Sequence, residues 1–428
     1  MNTNSRGEVN ANANEDSQVS ISSSKSKSCK AIPELLPKCD AKCLVPLCEF
    51  DYDLLVIGAG VAGLAAAIEA NEHGARVAIV NCVEATPLGT RWSIGGTCIN
   101  VGSIPKKLFH VAALLGEHLT ESEFYGWNVP QKKVNWTKLK NGVQKHIKDT
   151  NLAIKLELFE RKIDYYYAKA SFKDPHTVET IRKGRTKLLK GKIILIAVGS
   201  RSEYPHIPGV YLGISIDDLF SLDKAPGKTL IIGDGYISAE IAGILNGLGY
   251  ETCILCMKPE PFTELDSNMA FKIMNELRSR GVKFYIGSNV DQIEQSTNDN
   301  TLTVVWYKHT ERYEDEFDTV LFSMGRTPYT ADLGLQKAGV ELAADGKKIF
   351  AVNEQTNVPH IYAIGDVLYG KPELSSVANK AGQLLARKLF AGITITDQIN
   401  YDLIPVTVLT PVEYSYVGKC FGICRPIV

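Results

Sequence analysis

Residues 51–80 read DYDLLVIGAGVAGLAAAIEANEHGARVAIV, and the fold follows from that stretch. An apolar run, DLLVI, ends in a turn holding Gly58, Gly60 and Gly63; an alanine-rich helical segment comes next, and a second apolar run, RVAIV, closes the unit. Strand, glycine turn, helix and strand in that order form the βαβ start of a parallel sheet. Glycines let the turn be tight and let the backbone approach a diphosphate, whose charge the free N–H groups at the helix start receive. A glycine fingerprint alone is weak. In its full strand–turn–helix–strand setting it assigns Gly58, Gly60, Val61, Ala62 and Gly63 to a dinucleotide site.

The pattern recurs at TLIIGDG, 229–235, followed by the helical AEIAGILNGLG and the apolar TCILCM. Here the small residues are Gly233, Gly235 and Ser238, so the chain carries two dinucleotide sites. After the second unit, VDQIEQ, LTVVWYK and FDTVLFSMG read as antiparallel strands around the turn TNDN. IYAIGD and NKAGQLLARKLF then read as a return to the first sheet. The expected fold is α/β, with two Rossmann-like dinucleotide-binding domains, the second inserted in the first. The expected limits are a tail and linker over 1–50, the first domain over 51–205 and 326–405, and the inserted domain over 206–325. Helices are expected near 105–116 and 136–160, and a strand at KIILIAVG.

Bulk properties narrow the partners. With 428 residues and 45% hydrophobic composition the chain can bury several cores. A formal net charge of −1 provides no field for nucleic acid. No apolar run approaches the roughly 20 residues that cross a bilayer, and the polar, acid-containing amino terminus gives no targeting signal, so the cytoplasm is the expected compartment. The ten cysteines are then expected as thiols, with any disulfide catalytic. Cys29, Cys39, Cys43 and Cys48 lack the paired spacing of zinc knuckles, and no metal site is expected. Cys253 and Cys256 lie in an apolar strand and read as buried structural thiols.

The stretch Pro87–Lys107, PLGTRWSIGGTCINVGSIPKK, with GYISAEIAG, GRTP, IYAIGDVLYGKPEL and TPVEY in the same order, resembles the high-molecular-weight thioredoxin reductases and thioredoxin-glutathione reductases. The likeness runs from Asp51 to Gly418. It implies FAD in the first site and NADPH in the second. It also implies a redox disulfide of two cysteines five positions apart, of which Cys98 matches the first and Ser103 stands at the second. By the same likeness Lys106 lies near the flavin, Glu240 is its acidic partner, Tyr236 is the lid over the ring, and Asp366 holds the ribityl or diphosphate region. Thr97, Ala170 and Ser375 carry over as FAD contacts, and Asp234, Ile237 and Gly325 as NADPH contacts.

Several positions depart from that pattern. Asn81 stands where an acid binds the ribose hydroxyls, Val198 where a threonine is usual, and Thr263 where a second phosphate-binding arginine is expected. Lys258 alone supports NADPH over NADH. The likeness also implies an interface domain, of which 406–428 is only the start; with it go a His-Glu pair, a carboxy-terminal redox tail and the family's homodimer, for which Cys420 and Cys424 are a poor substitute. The expected partner is a thioredoxin-like disulfide protein, a small disulfide or a quinone. Because a serine forms no disulfide, the alternatives are a redox-impaired diaphorase or oxidase, or an inactive remnant.

Overall fold

The computed structural model describes residues 49–130, 133–296, 301–392 and 398–418. The four linker cysteines, the TNDN turn, Cys420 and Cys424 lie outside the described residues. Within them, the strand Tyr52–Ile57 occupies the middle of the first sheet, hydrogen-bonded in parallel to Val77–Asn81 on one side and to the end of Arg185–Ile196 on the other. Its alternation sends Leu54 and Val56 into one apolar core and Leu55 and Ile57 into another, so both faces are covered. Asp164–Tyr167 extends one edge, and the returning strand Ile361–Ala363 pairs in parallel with Arg185–Ile196.

The helices that follow are α1 (Val61–Glu72), α2 (Gly96–Asn100), α3 (Ser103–Glu121) and α4 (Trp136–Glu160). The short α5 (Ile216–Leu219) leads to the second unit, with α6 (Tyr236–Gly247) and α7 (Ser267–Ser279). One turn, α8 (Leu335–Ala338), precedes α9 (Ser375–Phe390). The second sheet is wholly parallel, in the order Lys283–Ile286, Thr252–Cys256, Thr229–Ile232, Thr319–Phe322, Ile214–Ser215.

One expectation needs correction, and one sheet was not foreseen. The FDTVLFSMG segment is not antiparallel: Thr319–Phe322 runs parallel between two strands of the second sheet, because Val320, Leu321 and Phe322 are buried on both faces. The antiparallel three-stranded sheet is instead Ser288–Gln295, Leu302–Lys308 and Glu311–Phe317. A second antiparallel meander, Lys169–Asp174, Thr177–Arg182 and Arg185–Lys190, is obscured in the sequence by its basic residues, which leave one face in solvent.

Packing of α9 on α1 closes the first unit. At Gly382 a Cβ would stand 2.4 Å from the Ala62 carbonyl oxygen, so only glycine allows the helices this close. Arg387 of α9 donates to both carboxylate oxygens of Glu69 on α1, at 2.7 and 3.3 Å. That bond, opposed by partial burial, holds the Glu69 carboxyl below the usual carboxylate range. A depressed folded-state pKa stabilises the fold above the unfolded value, about 4.3, and the contribution disappears as pH falls through the folded value. Glu69→Gln is therefore expected to lower urea stability at neutral pH and to converge with the unmodified chain in acid.

Candidate active site

Four helices begin at one place. A cleft of about 480 Å³ is lined by Val61, Ser103, Tyr236 and Ser375, the first residues of α1, α3, α6 and α9. None of the four has a side-chain cap: the capping positions are Gly60, Gly102, Gly235 and Leu374. By contrast α4 and α7 are capped by the side chains of Asn135 and Asp266. Uncapped starts leave backbone N–H groups and partial positive charge on the cleft, which suits an anionic ligand.

The first glycine turn has the shape a diphosphate needs. Gly58 adopts φ +113°, and a Cβ there would lie 2.3 Å from the Ala197 carbonyl oxygen. A Cβ on Gly63 would lie 2.1 Å from the oxygen of Gly58, and one on Gly96 would lie 2.7 Å from the Cα of Gly60. Gly60, Val61, Ala62, Asn81, Thr97, Ala170 and Asp366 join Gly58 along the cleft, whereas Gly63 lies behind it and serves packing. These residues fit a long dinucleotide such as FAD. Asn81 is buried and has another task besides facing the cleft: its Oδ1 accepts the Ala59 N–H at 3.1 Å, and its Nδ2 donates to Tyr165 Oη at 3.4 Å. An ionised acid there could not donate to Tyr165 and would have to accept from its hydroxyl instead.

At the other end the residues expected to carry the redox chemistry gather. Cys98 on α2 and Ser103 and Lys106 on α3 all line the cleft. Ser103 Oγ lies 3.2 Å from Ser375 Oγ. Lys106 Nζ donates to Glu240 Oε2 at 2.5 Å, and Glu240, wholly buried on α6, accepts the Leu409 N–H on its other oxygen at 2.8 Å. Glu240 therefore sits one layer behind the cleft wall and ties α3, α6 and the hairpin Pro405–Val408/Tyr414–Val417 together. Glu413 reinforces this join by accepting from Lys107 Nζ and hydrogen-bonding His110 Nε2, each at 2.9 Å. Burial, and then the charges of Glu240 and Glu264, push the Tyr236 hydroxyl well above its ordinary pKa, so Tyr236 presents a neutral ring to the cleft.

The second turn lies apart from this cleft, apart from Tyr236 and Ile237, which line it. Gly233 is demanded by close approach, since a Cβ would come within 2.1 Å of the Ser323 carbonyl oxygen. Asp234 accepts the Lys258 backbone N–H at 3.0 Å, and the Lys258 side chain is exposed. Gly325 adopts φ +118° with Glu203 as its neighbour. The small Ser238 is buried, and its hydroxyl finds no partner among the described residues.

Other cleft residues were not singled out in the sequence. Arg326 donates to Ser200 Oγ at 3.0 Å, Ser200 O at 2.9 Å, Ser202 Oγ and Asp217 Oδ1 at 3.2 Å each, and Thr97 Oγ1 at 3.4 Å. Ser200 Oγ in turn donates to Asp366 at 2.8 Å. The guanidinium thus braces the residue before Cys98 and the acid at the far wall. Arg201 stacks over Trp92 at 4.3 Å, and burial holds its pKa below the ordinary value. The signal for Arg326 and Trp92 lay in GRTP and PLGTRWSIGG, motifs that marked the family without revealing which side chains point inward.

The remaining thiols sort by burial. Cys253 and Cys256 face opposite sides of the second sheet, and burial pushes their pKa values up to about 11 and about 12. They are inert core residues, as expected. Cys82 lines the cleft, but burial and then the Glu84 charge raise its pKa.

This geometry defines an α/β protein with two glycine turns of the dinucleotide-binding type, the first along the cleft and the second reaching it only through Tyr236 and Ile237. The sequence model of the family "Pyridine nucleotide-disulphide oxidoreductase" matches residues 52–382. Thioredoxin reductase SEP1 of Emiliania huxleyi is 43% identical over 381 residues, covering 86% of this chain and 76% of the relative. Mitochondrial thioredoxin reductase 2 of Drosophila melanogaster is 43% identical over 377 residues, covering 86% and 72%. The chain belongs to the pyridine nucleotide-disulphide oxidoreductase family and, within it, to the thioredoxin reductases.

Arg326→Met is expected to destabilise the fold by about 3–5 kcal/mol, because it leaves the buried Asp217 carboxylate without its cation. Adding Asp217→Asn should recover part of that loss, a coupling that urea unfolding of the two single variants and the double variant measures.

Proposed function

We propose that this chain is an NADPH-dependent, FAD-containing reductase that passes electrons to a thiol centre at Cys98, and from it to a thioredoxin-like disulfide protein or a small disulfide. The observation that carries this reading is the buried Lys106–Glu240 pair, which joins the helix following Cys98 to the helix that opens at the second glycine turn. Bound FAD would supply the hydride-accepting ring between NADPH and sulfur. Gly58, Gly60, Val61 and Ala62 would hold its diphosphate, Thr97, Ala170, Asp366 and Ser375 its remaining length, and Tyr236 and Ile237 would face it from the second unit. Gly233, Gly235, Asp234, Gly325 and Lys258 would hold NADPH, Lys258 favouring the 2′-phosphate.

The protein's own groups have defined tasks. Lys106 keeps a cation at the cleft wall, where negative charge develops on reduction, and Glu240 fixes its position while remaining out of contact with the ligand. Ser103 holds its proton at neutral pH and closes no disulfide with Cys98. Cys98 therefore engages a disulfide brought from outside, by attack on one substrate sulfur with departure of the other as a thiol. Two electrons and a second proton then release the remaining substrate sulfur, and one disulfide becomes two thiols. The redox-impaired alternative is not favoured by the 43% identity to reductases over most of the chain.

Cys98→Ser is expected to leave bleaching of the flavin by NADPH intact and to cut disulfide reduction by on the order of a hundredfold or more. Ser103→Cys is expected to add long-wavelength absorbance to the reduced protein and to speed disulfide turnover, since the start of α3 and Lys106 favour a thiolate there. Disulfide reduction that survives Cys98→Ser would overturn the assignment.

A further inference from the structure

The helix that carries Cys98 is too short to hold itself. α2 has five residues and is entered through two glycines in the left-handed region, Gly95 at φ +100° and Gly96 at φ +63°. Side-chain amides supply what its length does not. Buried Asn100, the last residue of α2, donates from Nδ2 to Ile94 O at 3.0 Å and to Gly96 O at 2.8 Å, which ties the end of the turn back to its start. Its Oδ1 accepts from Asn151 Nδ2 of α4 at 2.8 Å. Both amide hydrogens and the oxygen of Asn100 are thus engaged, and its orientation is fixed.

Asn151 is out of place by packing alone. It stands in the inward stripe of α4, between Ile147 on one side and Ile154 and Leu158 on the other, where an apolar residue would suit the core. Its own Oδ1 is buried and has no hydrogen-bond partner among the described residues, so the desolvation of that oxygen goes uncompensated. Turning the amide over gives no relief, because Oδ1 would then face Oδ1 of Asn100. The bond that Asn151 donates is what its place in the stripe provides.

We propose that Asn151 is a positioning residue for Cys98: through Asn100 it locks the single helical turn that presents the thiol to the cleft. The inference rests on the role proposed above for Cys98. Without the donor from α4, the Asn100 amide can turn over, which sets its oxygen against the carbonyls of Ile94 and Gly96 and loosens α2 at both ends. Cys98 is half-buried on the cleft wall, and a reacting group misplaced by about 1 Å can lose up to about a hundredfold in rate.

The test uses the full FAD-loaded chain with NADPH and a small aromatic disulfide, and compares Asn151→Leu with Asn151→Asp. The three side chains are similar in size, and neither leucine nor an ionised aspartate can donate to Asn100. Their effects on stability differ, since leucine removes the orphaned oxygen whereas aspartate buries a charge. Turnover is expected to fall about tenfold in kcat in both variants, with KM unchanged. Urea unfolding should show the leucine variant no less stable than the unmodified chain and the aspartate variant less stable. A merely structural asparagine would make rate follow stability. An unchanged kcat in the leucine variant would overturn the inference, as would a loss of rate confined to a variant that is also less stable. If leucine prevents folding, Asn151→Ala makes the same comparison with less bulk. If disulfide turnover by the unmodified chain is absent, or survives Cys98→Ser, the reading of Cys98 falls and the inference with it.

Discussion

The organisation of this protein depends on helix amino ends that have no partner within the fold. α1, α3, α6 and α9 start on a single cleft without side-chain caps, while α4 and α7, which start elsewhere, carry Asn135 and Asp266 as caps. A helix start without a side-chain cap forgoes up to on the order of 1 kcal/mol, less where the capping residue is glycine, and four such starts on one cleft leave N–H groups that water or a bound anion satisfies. The glycines at 58, 63 and 96 serve the same end, because a Cβ at any of them would strike backbone atoms that line or support the turn.

Around this anion-seeking centre the fold places buried ion pairs, and their positions follow from connectivity. Lys106–Glu240 and Arg326–Asp217 each join a segment of the first unit to a segment of the second or to the crossing between them. Water is largely excluded there, so each charge is held in place chiefly by its partner rather than by solvent. The Leu409 N–H on Glu240 and the Thr97 hydroxyl near Arg326 extend those constraints to the hairpin and to the residue before Cys98. A cation kept rigid beside the redox helix is what electron transfer at that place requires.

Much of this was legible in the sequence, and the failures have physical causes. Both glycine units and the return of residues 361–363 to the first sheet could be read because apolar strands, glycine turns and helices punctuate the chain strongly. Cys253 and Cys256 were legible as core thiols from alternation alone. The strand Thr319–Phe322 was misplaced because a short apolar run says nothing of its partner's direction. The basic meander over 177–190 escaped notice because its alternation is masked by lysine and arginine on the open face. Cys98, Ser103 and Lys106 in the cleft, and Glu240 behind it, were accessible through the motifs that contain them. Arg326, Arg201, Trp92 and Asp217 were not, since their roles arise from contacts between residues more than 100 positions apart.

What fills the cleft decides whether this chain is a flavoprotein. The visible spectrum of the purified full chain, taken before and after NADPH, measures it. The expected result is a yellow protein with about one FAD for each chain, as one dinucleotide turn of this type holds one cofactor, and bleaching of the flavin on addition of NADPH. A colourless, well-folded protein that takes up no added FAD would contradict it.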